Sequence, residues 1–241
     1  LVALENGNLS DTVTVADEAD SGKFAADEQT CGIKAGDQLT LEDLLNGLLL
    51  YSGNDNAVAI ADHIAGSTEK FAEMMNAEAK KLMATNSHFV NPSGLHDDNH
   101  YTTAYDLYLI FNECIKHDEF VKIINSSSYT AHITGADGTK RDVKWEPTNY
   151  YAKGEATPPD NVTIIGGKTG TADKGKTGDV VVSFVAFAPA DDPQIIMLIA
   201  MDSPARDTGT YPSGGAMVAP VASKIMAEIL PYLGIEPTYT A

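Results

Sequence analysis

Cysteine, positive charge and long apolar runs are all scarce in this sequence of 241 residues. Two cysteines, Cys31 and Cys114, exclude a disulfide framework but leave open either one bridge or two free thiols. No apolar run approaches the roughly 20 residues that a membrane-spanning helix needs. Only 16 lysines and arginines stand against 34 aspartates and glutamates, so the net charge is −18. That charge opposes binding to a phosphate backbone or an anionic lipid surface, and nucleic acid is therefore not an expected partner.

The hydrophobic content of 43% is enough to build a sizeable core, and the length suits one domain. Apolar spacing in the middle of the chain is helical, whereas alternating patterns dominate after residue 128. Short connections between the later strands favour antiparallel pairing. The pattern predicts a strand at 11–15, irregular surface loops at 16–38, helices near 41–51, 56–64, 71–82 and 103–116, a hairpin over 129–145, strands at 162–167, 180–187 and 194–201, and a last helix at 216–233.

Two short motifs carry the chemistry: Ser52-Gly53-Asn54, at a predicted helix end, and Lys168-Thr169-Gly170, near a later strand. They match two of the three active-site signatures of serine enzymes that acylate on D-alanyl peptides and β-lactams. The surrounding segments 48–57, 89–95, 99–106 and 167–170 occur in the same order as in one family. On these segments the chain resembles the low-molecular-mass penicillin-binding proteins, the serine D-alanyl-D-alanine carboxypeptidases.

The resemblance implies an α+β fold, in which an antiparallel sheet is flanked by helices and a helical subdomain. It implies one catalytic domain over residues 1–241, with no cofactor and no metal. The family's nucleophile motif, Ser-x-x-Lys, is expected before Leu1, because residues 1–7 read like the tail of the helix that carries it. We therefore expect this chain to lack the nucleophile helix and the first strands, to be inactive as it stands and to melt at a low temperature.

Acyl-transfer chemistry suggests a role for each motif residue. Ser52 would relay a proton to the departing amine, and Asn54 would hold the substrate amide and the catalytic lysine. Lys168 and the Thr169 hydroxyl would bind the terminal carboxylate of the peptide or of a β-lactam. By resemblance, the Thr171 N–H would join an oxyanion hole. The expected catalytic residues are Ser52, Asn54 and Lys168, and the expected substrate-binding residues are Gly53, Lys168, Thr169, Gly170 and Thr171.

Three other patterns could suggest different chemistry. Ser67-Thr68-Glu69-Lys70 is a Ser-x-x-Lys string, but it follows the first motif and has the composition of a helix N-terminus. Residues 170–177 match the phosphate-binding P-loop, but a strand pattern follows where that loop requires a helix. His96, Asp97, Asp98 and His100 could suggest a metal cluster, but they lack a third ligand at fixed spacing, and we interpret them as a polar loop.

The reaction and the compartment follow from the resemblance. The expected partners are peptidoglycan stem peptides ending in D-Ala-D-Ala, and β-lactams. The expected location is outside the cytoplasm, at the cell wall or associated with the membrane through segments not in this sequence, after export by a signal peptide upstream of Leu1. The segment after Lys168 looks more like a transpeptidase domain of the larger penicillin-binding proteins, so transfer to a second peptide stays open beside hydrolysis. A non-catalytic module that binds D-alanyl peptides also stays open, because the nucleophile is absent from this sequence.

Overall fold

A computed structural model describes residues 1–148, 166–174, 179–190, 192–205 and 212–235 of the chain. The chain divides into two compact units. The first unit comprises Leu1–Ile110 and Ser128–Pro147, and the second comprises Phe111–Ser127 and Thr148–Ala241. The predicted single catalytic domain stays a prediction, and each unit is described here by itself.

The first unit combines four helices with a four-stranded antiparallel sheet. The sheet order is β1-β2-β3-β4, and the hairpin β3–β4 follows the predicted bounds closely. Its turn runs through Gly135 to Gly138. The elements are α1 (Val2–Asn6), β1 (Thr12–Thr14), β2 (Gln38–Thr40), α2 (Leu41–Asn46), α3 (Asn54–Ala65), α4 (Thr68–Lys81), β3 (Tyr129–Thr134) and β4 (Lys140–Trp145).

Helix α2 begins at a capping box. Thr40 Oγ1 accepts a hydrogen bond from the Asp43 N–H at 3.0 Å, and the Asp43 carboxylate accepts one from the Thr40 N–H at 2.8 Å. Such reciprocal caps satisfy donors that the first helical turn leaves unpaired. Leucines at helical spacing then turn inward, and Leu41 and Leu44 are fully buried. This start fixes the direction in which the chain reaches the first motif.

The prediction of irregular surface loops over residues 16–38 was only partly correct. The segment is irregular apart from two short 3₁₀ turns, but Ala19, Cys31 and Ile33 are buried, and β2 begins at Gln38. Strand β2 pairs with β1 and with β3. The segment is held inside by partners distant in sequence, which its own Asp- and Gly-rich composition does not indicate.

Among its described residues, the second unit contains a three-stranded antiparallel sheet in the order β5 (Gly166–Asp173), β6 (Val180–Ala188) and β7 (Ile195–Asp202), and the last described helix covers it. Helix α5 (Ala104–Cys114) is divided between the units: residues 104–110 belong to the first and residues 111–114 to the second. Side chains of β6 such as Phe184 form its core with Val218 and Met226 from the covering segment. The other elements of this unit are α6 (Asp118–Ile124), a π-helical turn (Gly214–Val218) and α7 (Ala219–Tyr232).

The predicted strands at 180–187 and 194–201 and the final helix are confirmed. Most of the predicted strand 162–167 lies outside the described residues, and α6 was not predicted. Both cysteines are free thiols, and burial raises the pKa of each. Among the described helices, none has the length and apolar character needed to cross a bilayer.

Candidate active site

The serine motif, Ser52-Gly53-Asn54, lies at the start of α3 in the first unit: Ser52 and Gly53 precede the helix, and Asn54 is its first residue. After α2 the chain widens into a π-helical turn over Gly47–Tyr51, and the Ser52 N–H donates to the Gly47 carbonyl. Ser52 then adopts a left-handed conformation, with φ 65° and ψ 41°. A non-glycine residue in this region is strained by about 1–2 kcal/mol and persists only where its surroundings hold it. The Ser52 and Asn54 side chains remain partly exposed.

A segment that was not predicted to be functional braces this turn. Residues 29–33, here called the strap, run beside the serine motif in the first unit. The Asn54 N–H donates to the Gln29 carbonyl at 2.9 Å, and Gln29 Nε2 donates to the Tyr51 carbonyl. Asp55, which directly follows the motif, is fully buried and accepts N–H groups from the strap. The only sequence signal for these contacts was the position of Asp55 next to Asn54.

The lysine motif, Lys168-Thr169-Gly170, lies on β5 in the second unit. Lys168 and Thr169 point to opposite faces of the strand, because strand side chains alternate. The lysine side chain turns back so that Nζ donates to the Thr169 carbonyl at 2.8 Å. Desolvation of the partly buried ammonium lowers the pKa of Lys168 to about 8. At neutral pH the site therefore offers a mostly protonated, poorly solvated cation.

Two further groups shape the lysine motif. The Thr169 hydroxyl lies 2.9 Å from the Thr148 hydroxyl, which restricts its rotation. The second π-helical turn, Gly214–Val218, packs against strands β5 and β6. A Cβ added at Gly214 would lie 2.1 Å from the Ser183 carbonyl oxygen on β6 and 2.9 Å from the Gly170 carbonyl oxygen on β5. Only a glycine permits this approach. Neither group was identified from the sequence, because both lie far from the motif along the chain.

Strand β5 is an edge of its sheet within the described residues, since there it pairs with β6 alone. Gly170 lies opposite Ser183, and Thr171 opposite Val182. An edge strand has main-chain groups on its outer side that can pair with an extended peptide. The lysine motif and Thr171 thus combine a cation, a hydroxyl and a peptide-binding edge on one strand.

The competing patterns have structural explanations. Ser67 caps α4 by accepting the Lys70 N–H at 3.3 Å, so this Ser-x-x-Lys string marks a helix start. The first residues of the P-loop pattern, Gly170 to Asp173, lie in β5, and strand β6 begins at Val180. The strand that the sequence predicted after the pattern is therefore confirmed. Within the described ranges, no three His, Cys, Asp or Glu side chains are grouped so that they could hold a metal ion.

Comparisons with known proteins agree with the two motifs. A family model described as D-alanyl-D-alanine carboxypeptidase matches residues 1–204. The D-alanyl-D-alanine carboxypeptidase DacF of Bacillus subtilis is 31% identical over 164 residues, which cover 66% of this chain and 41% of DacF. The chain thus spans less than half the length of this curated relative.

Solved structures agree in fold. The D-alanyl-D-alanine carboxypeptidase of Mycobacterium tuberculosis superposes with a TM-score of 0.68 at 26% identity, covering 100% of this chain and 80% of that one. A mutant of the Streptomyces K15 DD-transpeptidase gives a TM-score of 0.70 at 25% identity, covering 96% of this chain and 83% of that one. The predicted resemblance and α+β fold are confirmed. Because the family model matches more than half of its residues, the chain belongs to the D-alanyl-D-alanine carboxypeptidase family.

Proposed function

We propose that this chain is the peptide-binding part of a serine DD-peptidase that removes the terminal D-alanine from peptidoglycan peptides and is acylated by β-lactams. The observation that carries the proposal is the lysine motif on an edge strand, with the Lys168 ammonium held against the Thr169 main chain at 2.8 Å. A terminal carboxylate is the anionic end of every such peptide, and a partly buried ammonium binds it more strongly than an exposed one does. Family membership supports the same substrate class.

The strand also suggests how the rest of the peptide is bound. An extended substrate can pair with the outer edge of β5, and Gly170 lets its backbone approach because no side chain intervenes. The Thr169 hydroxyl, oriented by Thr148, would share the carboxylate with Lys168. The Thr171 N–H would donate to the oxyanion that forms when the peptide carbonyl is attacked. These roles are proposals for Lys168, Thr169, Gly170 and Thr171.

The serine motif would serve the reacting amide. Ser52 would pass a proton to the leaving D-alanine amine, and the Asn54 side chain would hold the substrate amide. Acyl transfer also requires a serine nucleophile with a base, and the only Ser-x-x-Lys in the sequence caps α4. We therefore propose that this chain binds the peptide, and that cleavage requires a Ser-x-x-Lys pair other than the one that caps α4.

Calorimetric titration with a peptide ending in D-Ala-D-Ala tests the binding part of the proposal. The matched controls are the same peptide ending in L-Ala-L-Ala, and the D-Ala-D-Ala peptide with an amidated C-terminus. We expect saturable binding of the free acid and at least tenfold weaker binding of the amide, which lacks the charge that Lys168 recognises. Equal affinity for acid and amide would show that the lysine motif is not a carboxylate site.

Release of D-alanine tests the catalytic part, in a polypeptide extended by the coding sequence upstream of Leu1. We expect turnover, and a covalent mass increase with a β-lactam, only if that extension contains a Ser-x-x-Lys. Ser67→Ala should change neither readout. Binding without release from a polypeptide whose natural N-terminus lies near Leu1 would instead identify a non-catalytic binding module.

Transfer to a second peptide is the second candidate reaction. The structural likeness to a DD-transpeptidase at 25% identity supports it, and both reactions share the acyl-enzyme. Adding an amino-acid acceptor such as glycine to the D-alanine release assay distinguishes them. A product in which glycine replaces D-alanine indicates transpeptidation, whereas the shortened free acid indicates hydrolysis.

We further propose that the protein acts outside the cytoplasm, at the cell wall, where peptidoglycan stem peptides are found. Labelling of intact cells with a fluorescent β-lactam that does not cross the cytoplasmic membrane tests this location. The labelled protein should be recovered from cells that were never lysed during labelling. Labelling only after lysis would contradict the proposal.

A further inference from the structure

Asp55 makes more main-chain contacts than its place in a helix requires. Asp55 is fully buried. Its carboxylate accepts hydrogen bonds from the N–H groups of three consecutive strap residues: Cys31 at 2.8 Å, Gly32 at 2.9 Å and Ile33 at 3.2 Å. It also accepts the N–H of Asn56 at 2.9 Å. Burial raises the pKa of this carboxyl, whereas the four N–H groups favour its ionised form. The Asp55 carboxylate therefore accepts hydrogen bonds from three consecutive N–H groups in a segment that has no regular secondary structure.

The strap in turn holds both sides of the serine motif. Gln29 accepts the Asn54 N–H through its carbonyl and donates its side-chain amide to the Tyr51 carbonyl. Cys31 packs so tightly on the motif that a Cβ at Gly53 would lie 2.5 Å from its Sγ. The strap is fixed on its far side by Trp145, whose Nε1 donates to the Cys31 carbonyl at 3.4 Å. Any shift of the strap must therefore move the serine motif.

The strained residue lies inside this frame. Ser52 has φ 65°, and it is flanked by Tyr51 and Gly53, which the strap contacts. A left-handed serine relaxes unless its neighbours fix it. Without the Asp55 carboxylate, three strap N–H groups would lose their acceptor, and a buried N–H without an acceptor destabilises the structure around it. The strap would then leave its position, and Ser52 could relax.

We propose that Asp55 is the positioning residue of the serine motif: it fastens the strap against the motif and so sets the directions of the Ser52 and Asn54 side chains towards a D-alanyl peptide. The proposal rests on the proposed function for its ligand. Asp55 contacts no substrate itself, and it acts through the strap.

The matched control is Asp106→Asn, compared with Asp55→Asn. Asp106 is an equally buried carboxylate of the first unit, but it accepts the Asn86 N–H at 2.7 Å and the Ser87 hydroxyl at 2.8 Å instead of the strap. Both variants replace a carboxylate by its neutral isostere. Each is assayed at a temperature at which thermal melting shows it to be folded. A general loss of packing would affect both alike, whereas positioning is specific to Asp55.

Two readouts are measured on each variant: calorimetric affinity for the D-Ala-D-Ala peptide, and amide hydrogen exchange with backbone NMR signals. We expect Asp55→Asn to lower the affinity for the peptide tenfold or more. It should also speed amide hydrogen exchange at residues 31–33 and shift the backbone NMR signals of Gly53 and Asn54. Asp106→Asn should keep the affinity within twofold and leave those signals in place. Wild-type affinity and unchanged signals in folded Asp55→Asn would overturn the proposal.

A second variant covers the case in which Asp55→Asn does not fold. Gln29→Ala removes only the exposed side chain that donates to the Tyr51 carbonyl. We expect this variant to fold, to shift the backbone NMR signals of Gly53 and Asn54, and to bind the peptide with at least threefold lower affinity. Unchanged signals and affinity would then overturn the proposal. If the wild-type chain binds no D-Ala-D-Ala peptide, the proposed function fails, and the exchange and NMR readouts still decide whether the strap positions the motif.

Discussion

Affinity for a peptide carboxylate should fall as the pH rises through about 8, because the Lys168 ammonium loses its proton there. The ordinary lysine pKa lies near 10.4, so an exposed lysine would stay charged over this range. Desolvation lowers the pKa of Lys168 because burial disfavours the charged form. Only the protonated side chain attracts the carboxylate. The pH dependence of binding therefore reports directly on the surroundings of this one residue.

The size of the effect follows from the titration. With a pKa of about 8, the ammonium is about 90% protonated at pH 7 and about 10% protonated at pH 9. The Kd of a D-Ala-D-Ala peptide should therefore rise about tenfold between these pH values. A lysine with the ordinary pKa would change the Kd by only about 4% over the same interval.

Calorimetry across pH 6 to 10 measures the profile, and Lys168→Arg provides the control. Arginine keeps its charge throughout this range, so its profile should be flat above pH 7 even if its affinity differs. In the wild-type chain, the free energy of unfolding should rise with pH over the range in which the peptide affinity falls. Because the unfolded chain holds the Lys168 proton to higher pH than the folded chain, the free energy of unfolding should gain from this group between about pH 8 and pH 10.5.

A flat wild-type profile up to pH 10, with binding intact, would refute the reasoning, because Lys168 would then be either normally solvated or absent from the carboxylate site. A fall with a midpoint near 8 that persists in Lys168→Arg would assign the titration to another group. Parallel loss of stability and affinity above pH 8 would point to unfolding instead.

Three further substitutions test other parts of the two units. Thr148→Val keeps the shape but removes the partner of the Thr169 hydroxyl, so the peptide Kd should rise about fivefold, the equivalent of about 1 kcal/mol for one hydrogen bond; wild-type affinity in calorimetry would contradict this. Ser67→Ala should lower the unfolding free energy by about 1 kcal/mol in urea titration while leaving peptide affinity unchanged, because Ser67 only caps α4. Gly214→Ala forces a Cβ onto main chain beside Gly170 and should destabilise the fold by about 1–3 kcal/mol, seen as a lower Tm; an unchanged Tm would show that the π-helical turn yields easily.

Local sequence determined the elements whose signals lie within a few residues of each other. Thr40 and Asp43 form a capping box three residues apart, so the start of α2 could be predicted from the sequence alone. The hairpin β3–β4 and strand β6 followed from alternation and from the turn at Gly135–Gly138. The two motifs also identified the family, since their residues and order are properties of the chain itself.

Tertiary structure decided what depends on partners distant in sequence. The strap has the composition of a surface loop, yet its Cys31 and Ile33 are buried, and Asp55, more than 20 residues later, accepts the N–H groups of residues 31–33. The left-handed Ser52 is compatible with its sequence but is held by neighbours across the fold. The lowered pKa of Lys168 arises from desolvation, which depends on the residues packed around it in the folded chain and cannot be predicted from motif spacing. The sequence thus named the candidate site residues, whereas only folding set their backbone conformation, their pKa and the contacts that hold them.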